Sequence, residues 1–377
     1  MKMKTIEINA KQDVIYNVEL YKSLDEVLSV LAGNYSDNGS LNVFIDNGLP
    51  KTHVNAVMDG LRASGINAQS YDIPSGEEEK TLDNAIHITD LLNQSGTKRR
   101  SSPPIVLGGG VSCDLVGFAC SIYRRGIPFI RIPTTLLGMV DVSVAAKTAV
   151  NHFGFRNRLG SFHPARLTLL YPGFLSTLPV RHISNGLAEV FKIALIKSNY
   201  LLDLLDKHGE KFFDSNFQSD SHIMEIIYLA ADLMAEELSP NLWEHNLKRI
   251  VDYGHSFSPL IEMTYIDELL HGEAVAIDCL YSAILSQQRN MLDDSQVKKL
   301  FDIAKKLRLP LYHRGFSDDK LILSALKDTK IHRDGNQNLP LMCSLGQAVF
   351  INDLTEQEMR SASKLLRDFS ESVSITQ

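Results

Sequence analysis

The chain has little cysteine and no long apolar run. Its four cysteines, Cys113, Cys120, Cys279 and Cys343, form no Cys-x-x-Cys pair and lie within apolar patterns. A disulfide framework and a compact thiolate metal site are therefore not expected. No segment is apolar over the length that a bilayer requires, and residues 1–7 lack the apolar core of a secretion signal. We expect a cytoplasmic protein with reduced cysteines and no membrane contact.

The chain also lacks an excess of positive charge. It has 38 Lys and Arg against 45 Asp and Glu, for a formal net charge of −7. This balance argues against a general nucleic-acid partner, but it leaves room for a local basic pocket that binds an anionic small molecule. With 377 residues, 44% of them hydrophobic, the chain exceeds the size at which a single core stops growing. Two globular domains are predicted.

Strand and helix patterns alternate in the first half of the chain. This alternation predicts an α/β domain with a parallel, doubly wound sheet. From about Arg181 onward nearly every segment has helical periodicity, which predicts a mostly α-helical C-terminal domain. We place the boundary near residue 180, giving domains 1–180 and 181–377 with the site in the cleft between them. The predicted strands are 41–46, 66–73, 104–107 and 129–132, and the predicted helices are 53–63 and 81–92.

The most informative segment runs from Ile105 to Phe118. An apolar strand pattern ends in Gly108, Gly109 and Gly110 and passes directly into a helical pattern. Glycine allows a ligand to approach the backbone, and the first amides of a helix can donate to a pyrophosphate. An ordinary tight strand-to-helix turn is an equally good interpretation of the glycines alone.

Several further motifs follow within about eighty residues. Together with the glycine segment they resemble the dehydroquinate synthase-like sugar phosphate cyclases. The resemblance implies a dehydroquinate synthase-like fold and an NAD-dependent enzyme that closes a phosphorylated sugar into a carbocycle. In that chemistry an alcohol is transiently oxidised, phosphate is eliminated, the hydride is returned, and an intramolecular aldol addition closes the ring. The motifs are Tyr123-Arg-Arg-Gly126, Pro133-Thr-Thr-Leu-Leu137, Asp141, Lys147, Asn157 and Asn185-Gly-Leu-Ala-Glu-Val-Phe-Lys192.

The resemblance also implies a set of NAD contacts. Residues 75–81, taken alone, are also typical of an ordinary helix start. Acidic residues near a ribose favour NAD over NADP, because they would repel a 2′-phosphate. The implied contacts are Asp46, Glu77, Lys80, Gly109, Gly110, Asp114, Thr134, Thr135, Leu137, Asp141, Lys147, Arg156, Thr177 and Leu178.

The metal ligands implied by the resemblance are Glu189, His255 and His271. The two histidines are 16 positions apart, which is not a compact metal motif, so the spacing alone would not identify this site. Two imidazoles and one carboxylate suit Zn²⁺ or Co²⁺. Three protein ligands would leave positions open for substrate oxygens.

For the substrate, the resemblance implies catalytic roles for Lys192, Asp141, Lys147 and His332. In this family the residue that corresponds to Arg125 is supplied by the neighbouring subunit, so a homodimer with shared active sites is expected. The implied substrate contacts are Arg125, Asp141, Lys147, Asn157, Lys192, Lys248, Asp252, Lys330 and His332.

The chain departs from dehydroquinate synthase where that enzyme binds the substrate carboxylate. Met234 replaces a lysine, Lys248 an arginine, Asp252 an asparagine and Pro259 a histidine. A methionine cannot form a charge-assisted hydrogen bond with a carboxylate. We therefore expect a substrate with a neutral polyol end, and the sedoheptulose 7-phosphate cyclases, which use such a substrate, are the branch that the chain resembles.

Within that branch, Asp252 and His332 favour the members that form 2-epi-5-epi-valiolone, since the gadusol-forming members tend to have alanine and threonine there. Four alternatives remain open at this point. They are a desmethyl-4-deoxygadusol or other valiolone-epimer synthase, a 3-dehydroquinate synthase, a glycerol dehydrogenase-like polyol oxidoreductase, and a non-catalytic ligand-binding descendant.

Overall fold

The computed structural model describes residues 5–35 and 40–375. Residues 1–4, part of the segment considered as a secretion signal, lie outside the described residues. The strands of the described residues form one six-stranded sheet and two hairpins. They are β1 (Asn17–Leu20), β2 (Ser40–Asp46), β3 (Asn67–Ile73), β4 (Ile105–Gly108), β5 (Ile130–Pro133), β6 (Lys147–His152), β7 (Phe155–Phe162), β8 (Leu167–Leu170), β9 (Leu339–Ser344) and β10 (Gln347–Ile351).

Four α-helices accompany the large sheet, and the others follow it in the chain. Among the described residues, no helix is both long and apolar enough to cross a membrane. The helices are α1 (Leu24–Tyr35), α2 (Lys51–Ala63), α3 (Leu82–Gln94), α4 (Gly110–Ile122), α5 (Val180–Lys197), α6 (Asn199–His208), α7 (Ser221–Leu238), α8 (Ser258–Thr264), α9 (His271–Gln288), α10 (Asp294–Lys306), α11 (Asp319–His332) and α12 (Glu356–Ile375).

The central strands of the six-stranded sheet are buried on both faces. Along β2, Val43 and Ile45 face a core formed with α1 and α2, whereas Phe44 faces a second core formed with α3 and α4. Successive side chains of a strand point to opposite faces, so an uninterrupted apolar strand needs helices on both sides. The predicted parallel, doubly wound sheet is confirmed.

The strand order creates a crevice at one edge of this sheet. The order is β1-β8-β5-β4-β2-β3, and all pairs are parallel. The chain moves outward from β2 to β3 and then returns to the other side of β2 as β4. Ligands of such sheets bind beyond the carboxyl ends of the strands at this reversal. Asp46 ends β2 and Gly108 ends β4, so both lie at that position.

The C-terminal half packs around two buried helices, α5 and α9. Residues 183–196 of α5 are all buried, and so are residues 274–286 of α9. The mostly helical character predicted for this half is confirmed, and α5 begins at Val180. The domain boundary near residue 180 itself remains a prediction.

The two hairpins, the edge strand β1 and the strand β8 were not among the predicted strands. In the β6–β7 hairpin, β7 alternates exposed and half-buried residues and carries Arg156, Asn157 and Arg158. Such a polar strand lacks the apolar alternation by which strands are recognised. The antiparallel pair β9–β10 follows helical segments and is short, so its local pattern was not separated from theirs.

Candidate active site

The triple glycine begins the nucleotide side of the site. A Cβ atom on Gly108 would lie 2.7 Å from the Cβ of Ser112 and 2.8 Å from the Cβ of Asp46. No side chain fits there, because these distances are far below van der Waals contact. Gly109 and Gly110 have more room, with nearest neighbours at 3.2 Å on Thr135 and Val142. The glycines therefore let β2, β4 and the start of α4 approach each other closely.

Asp46 is held rigidly at the end of β2. Its Oδ2 accepts a hydrogen bond of 2.6 Å from the Ser112 hydroxyl, and its Oδ1 accepts one of 2.9 Å from the Gly48 amide. Thr134, at the end of β5, is buried and donates its amide to the Gly108 carbonyl at 2.9 Å. The ends of three neighbouring strands thus form one polar edge beside the N-terminus of α4, which suits a dinucleotide.

The next predicted NAD residues form a cluster above α4. The buried Lys80 ammonium donates to Asp114 Oδ2 and to Asn157 Oδ1, both at 2.6 Å. Glu77 Oε1 accepts a 2.8 Å hydrogen bond from Asn151. The β6–β7 hairpin, which carries both asparagines, therefore closes over the residues expected at the ribose groups.

The remaining predicted NAD contacts lie around the same crevice. The Thr135 hydroxyl accepts a 3.1 Å hydrogen bond from the amide of Gly138, the residue that follows Leu137. Thr177 Oγ1 lies 3.0 Å from His53 Nε2, and Leu178 follows directly at the end of a 3₁₀-helix. Arg156 connects this region to α8, because it forms ion pairs with both Glu77 and Glu262.

Glu189, His255 and His271 converge on one point. One ligand atom from each residue lies within 4.8 Å of the other two. Glu189 Oε1 is 3.4 Å from Nε2 of His271 and 3.7 Å from Nε2 of His255. The three residues come from the middle of α5, the loop before α8 and the first turn of α9. Folding thus assembles a set that sequence spacing alone does not define.

The polar atoms of this cluster fit a bound divalent cation. Glu189 is 1% exposed, yet its Oε1 accepts no hydrogen bond from any described residue. A buried carboxylate oxygen without a donor is costly, and a cation between it and the two imidazoles would satisfy it. Burial and the nearby Lys192 ammonium lower the pKa of His255 to about 3, so its imidazole is neutral and able to ligate.

The turn that presents His255 is fixed from below by Asp278. This carboxylate is fully buried, and its Oδ2 accepts the amides of Phe257 and Ser258, each at 2.7 Å. Those amides begin α8, so Asp278 caps that helix from α9. Burial raises the pKa of Asp278 to about 6. His255 Nδ1 lies 3.2 Å from the Tyr253 carbonyl, which orients Nε2 towards Glu189.

A cavity of about 800 Å³ lies beside the metal cluster. It brings together most of the residues predicted to bind the substrate, and Met234 and Pro259 also lie in its wall. The predicted residues that line it are Asp114, Asp141, Lys147, Asn157, Lys192, Asp252, His255, His271 and His332.

Three predicted substrate residues do not line this cavity: Arg125, Lys248 and Lys330. Lys248 and Lys330 are exposed, and Arg249 and Arg333 line the cavity near them. The substrate contacts of the two lysines remain predictions. Arg249 is extended, so it points opposite to Lys248. Lys330 lies on the outer side of α11, whereas Arg333 follows the end of that helix.

Arg249 and Arg333 also change the electrostatics expected at Asp252. Arg249 forms ion pairs with Asp252 and Glu244, and Arg333 Nη2 is 3.5 Å from Asp252 Oδ2. Burial alone would raise the pKa of Asp252, but the two guanidinium groups lower it. Cations are therefore present at this end of the pocket, but they are already paired with carboxylates.

His332 and Asp252 line the same cavity without forming a pair. His332 is largely exposed, and its Nε2 lies 3.6 Å from Asp328 Oδ2. Each has its own partner.

Asp141 and Lys192 lie between the metal cluster and the cavity. Lys192 is buried and paired with Glu189. Burial would lower the pKa of Lys192, but Glu189 and Asp141 raise it. The pKa of Asp141 is raised by burial and by Glu189. The site thus holds an ammonium donor and a carboxyl group with increased proton affinity side by side.

Arg249, Arg333, Glu244 and Glu262 were missed by the sequence analysis. Arg249 and Arg333 each follow a residue that was chosen, Lys248 and His332. In each pair the sequence shows two adjacent basic residues, and this could have indicated that either one contacts the substrate. Only the local backbone conformation decides which of the two side chains faces the pocket. For Glu262 the sequence offers no such signal.

Two family profiles match consecutive parts of the chain. Residues 70–185 match the profile described as 3-dehydroquinate synthase N-terminal, and residues 186–331 match 3-dehydroquinate synthase C-terminal. Together these ranges cover more than half of the chain.

Characterised relatives are similar over most of the chain. A 2-epi-5-epi-valiolone synthase of Streptomyces hygroscopicus subsp. jinggangensis is 45% identical over 77% of this chain and 71% of its own length. A 2-epi-5-epi-valiolone synthase of Streptomyces albus is 42% identical over 87% of this chain and 81% of its own. The demethyl-4-deoxygadusol synthase of Trichormus variabilis is 32% identical over 96% and 90%.

Solved structures extend the comparison. The 2-epi-5-epi-valiolone synthase of Streptomyces hygroscopicus, with NAD⁺ and Zn²⁺ bound, superposes with a TM-score of 0.91 at 38% identity, covering 96% of this chain and 99% of that one. A 2-deoxy-scyllo-inosose synthase complexed with carbaglucose-6-phosphate, NAD⁺ and Co²⁺ has a TM-score of 0.76 at 22% identity, over 93% and 96% of the two chains. At that identity the second structure supports the shared fold alone.

Proposed function

Because the chain belongs to the 3-dehydroquinate synthase family, we propose that it converts sedoheptulose 7-phosphate into 2-epi-5-epi-valiolone and inorganic phosphate. It would be a carbon–oxygen lyase of C7-cyclitol biosynthesis. The observation that carries this proposal is the cavity beside the metal cluster, where Met234 occupies the wall and the nearby cations are engaged by Glu244 and Asp252. A neutral hydroxymethyl end fits such a wall better than a free carboxylate.

NAD would supply reversible hydride transfer, and a zinc or cobalt ion held by Glu189, His255 and His271 would polarise substrate oxygens. The chain's own residues position the sugar and move protons. Lys192 has its ammonium at the edge of the metal cluster and donates to a ring hydroxyl. Burial and Glu189 raise the pKa of Asp141, so this carboxyl group holds a proton more readily and can exchange it with a neighbouring hydroxyl.

The phosphate group would be held by Lys147 and Asn157, which both line the cavity. Lys147 is half exposed to the cavity and lies 2.8 Å from Glu244. Asn157 holds its backbone at a positive φ of 52° in the β6–β7 hairpin, with its amide oxygen engaged by Lys80. Its amide nitrogen is thereby directed to donate, as a phosphate oxygen requires.

Arg125 would complete the phosphate site of a second subunit. It is exposed, has a φ of 62°, and does not line the cavity of its own chain. A homodimer with composite sites accounts for an arginine held outward at the end of α4. We also propose a cytoplasmic location, consistent with free cysteines at all four positions.

The specificity experiment compares two substrates by phosphate release. With NAD and zinc present, kcat/KM for sedoheptulose 7-phosphate should exceed that for the seven-carbon acid phosphate used by dehydroquinate synthase. The missing charge-assisted hydrogen bond is worth about 1.5–3 kcal/mol, or about one to two orders of magnitude. Met234→Lys should bring the kcat/KM values for the two substrates closer together. Equal kcat/KM values for the two substrates in the natural protein would contradict the proposed substrate.

A further inference from the structure

His271 has a second polar partner beyond the metal cluster. While its Nε2 faces Glu189, its Nδ1 lies 3.1 Å from Oε2 of Glu262. The Glu262 carboxylate is 4% exposed and lies on α8. A neutral imidazole has one N–H group and one lone pair. An N–H on Nδ1 that donates to Glu262 leaves the lone pair of Nε2 directed at Glu189 and the metal position.

Glu262 is itself held by a residue from the other half of the chain. Its Oε1 accepts a hydrogen bond from Arg156 of β7, and another nitrogen of Arg156 lies 3.0 Å from Glu77 Oε2. A buried carboxylate needs such a cation, since an unpaired buried charge is costly. Arg156 can bind both carboxylates because a guanidinium group presents several donors in a fixed plane.

Resting on the proposed function, we propose that Glu262 and Arg156 are positioning residues for the metal centre. Glu262 fixes the tautomer and the ring orientation of His271. Arg156 fixes Glu262 and ties it to Glu77, so that one ligand of the helical half depends on a strand of the α/β half. Neither residue needs to touch the metal or the sugar. Their effect should therefore appear in metal affinity before it appears in substrate affinity.

A neighbouring triad of the same composition serves as a matched control. Glu268 accepts from Arg314 and lies 3.2 Å from His313 Nε2, but it is partly exposed. It does not line the cavity. Glu262→Gln and Glu268→Gln therefore make the same chemical change in two His–Glu–Arg groups, of which one faces the proposed metal centre.

The test measures zinc affinity by competition with a chromogenic chelator, together with the visible spectrum of the cobalt-loaded protein. Glu262→Gln should weaken zinc binding about 10–100-fold and alter the cobalt spectrum, and excess zinc should recover part of its kcat. Glu268→Gln should match the natural protein in zinc affinity, in its cobalt spectrum and in kcat. If Glu262→Gln binds zinc with natural affinity and gives the natural cobalt spectrum, the inference is overturned.

Arg156→Lys decides the matter if Glu262→Gln does not fold. A lysine keeps the charge but lacks the two planar nitrogens with which Arg156 contacts Glu262 and Glu77 separately, so zinc affinity should fall by a smaller factor. Unchanged zinc affinity in Arg156→Lys would also overturn the inference. Because zinc binding is measured without substrate, either failure is distinct from failure of the cyclase assignment, which phosphate release and product analysis would reveal.

Discussion

The charge of Lys147 governs how the cavity can hold a phosphate. Enclosure in the cavity, together with nearby Arg249, lowers the pKa of Lys147 to about 8. A lowered lysine pKa means that the ammonium is present below pH 8 and is lost above it. We expect kcat/KM for the sugar phosphate to fall above pH 8 by about tenfold per pH unit.

The matched variant for this pH dependence is Lys147→Arg, whose guanidinium stays charged throughout. Its high-pH limb should move beyond pH 9, even if the absolute rate is lower. The pH profile of phosphate release between pH 6 and 10 is the measurement. A profile of the natural protein that stays flat to pH 9.5 would remove Lys147 from this role.

The proposed metal ligands give the second prediction at this scale. His271→Ala deletes one of the three proposed ligands, so zinc affinity should fall by more than about 100-fold, beyond the effect expected of an outer partner. Turnover should be lost with the metal. His87→Ala, on the exposed side of α3, should bind zinc normally. Metal content after dialysis and phosphate release together check this, and an active His271→Ala protein with one zinc per chain would exclude His271 as a ligand.

Residue types and family motifs were enough to point to the three residues that converge in one cluster, the glycine turn and most of the residues that line the cavity. They were not enough to decide which of two adjacent basic residues lines the cavity. The extended backbone at Arg249 turns that side chain inward and Lys248 outward, and no property of the side chains decides this. The pairing of Asp252 with Arg333 was likewise unpredictable, because it joins segments that are distant in the sequence. Asp328, in contrast, lies only one helical turn before His332.

At the scale of elements, the strand-to-helix turn after β4 controls the nucleotide side. Its glycines have negative φ or extended backbone, so what they supply is space. Gly108→Ala should weaken NAD affinity at least about tenfold and lower stability by about 1–3 kcal/mol, because the added methyl group overlaps Ser112 and Asp46.

Gly33→Ala is the control for this change. Gly33 lies in α1, and an added Cβ there meets no atom within 4 Å. The substitution should leave NAD binding unchanged and stabilise the protein by about 0.5–1 kcal/mol, as alanine does in a helix. Calorimetric titration with NAD and denaturant unfolding measure both effects. Natural NAD affinity in Gly108→Ala would show that the close approach of β2 and β4 is not needed.

Helix and strand patterns predicted the doubly wound sheet because its central strands are apolar and its helices amphipathic. The β6–β7 hairpin was not predicted from these patterns, although it carries Lys147, Arg156 and Asn157. Its polar strand is stabilised by contacts with α4 and by ion pairs that reach Glu77 and Glu262. In a functional strand of this kind, the residue types are determined by ligand binding more than by packing against the core.

At the scale of the whole molecule, the predicted composite site can be tested by mixing subunits. Arg125→Ala and Lys192→Ala should each be nearly inactive, for different reasons. A hybrid dimer has one site that lacks both groups and one that lacks neither. Mixing the two proteins should therefore restore up to about a quarter of the natural activity, given random exchange into half hybrids with one intact site each.

Subunit exchange must be verified independently, for example by mass spectrometry of a mass-labelled partner. Mixing each variant with itself gives the baseline. Exchange without any recovered phosphate release would show that Arg125 does not act across an interface.

Analysis of the reaction product is the most direct test of the proposed conversion of sedoheptulose 7-phosphate into 2-epi-5-epi-valiolone. The protein is incubated with sedoheptulose 7-phosphate, zinc or cobalt, and NAD at about one hundredth of the substrate concentration, and the product is determined by NMR. We expect full conversion to 2-epi-5-epi-valiolone with one phosphate released per sugar and no accumulation of NADH. Stoichiometric NADH without phosphate, as a polyol dehydrogenase would give, or a gadusol or dehydroquinate-type product, would contradict it.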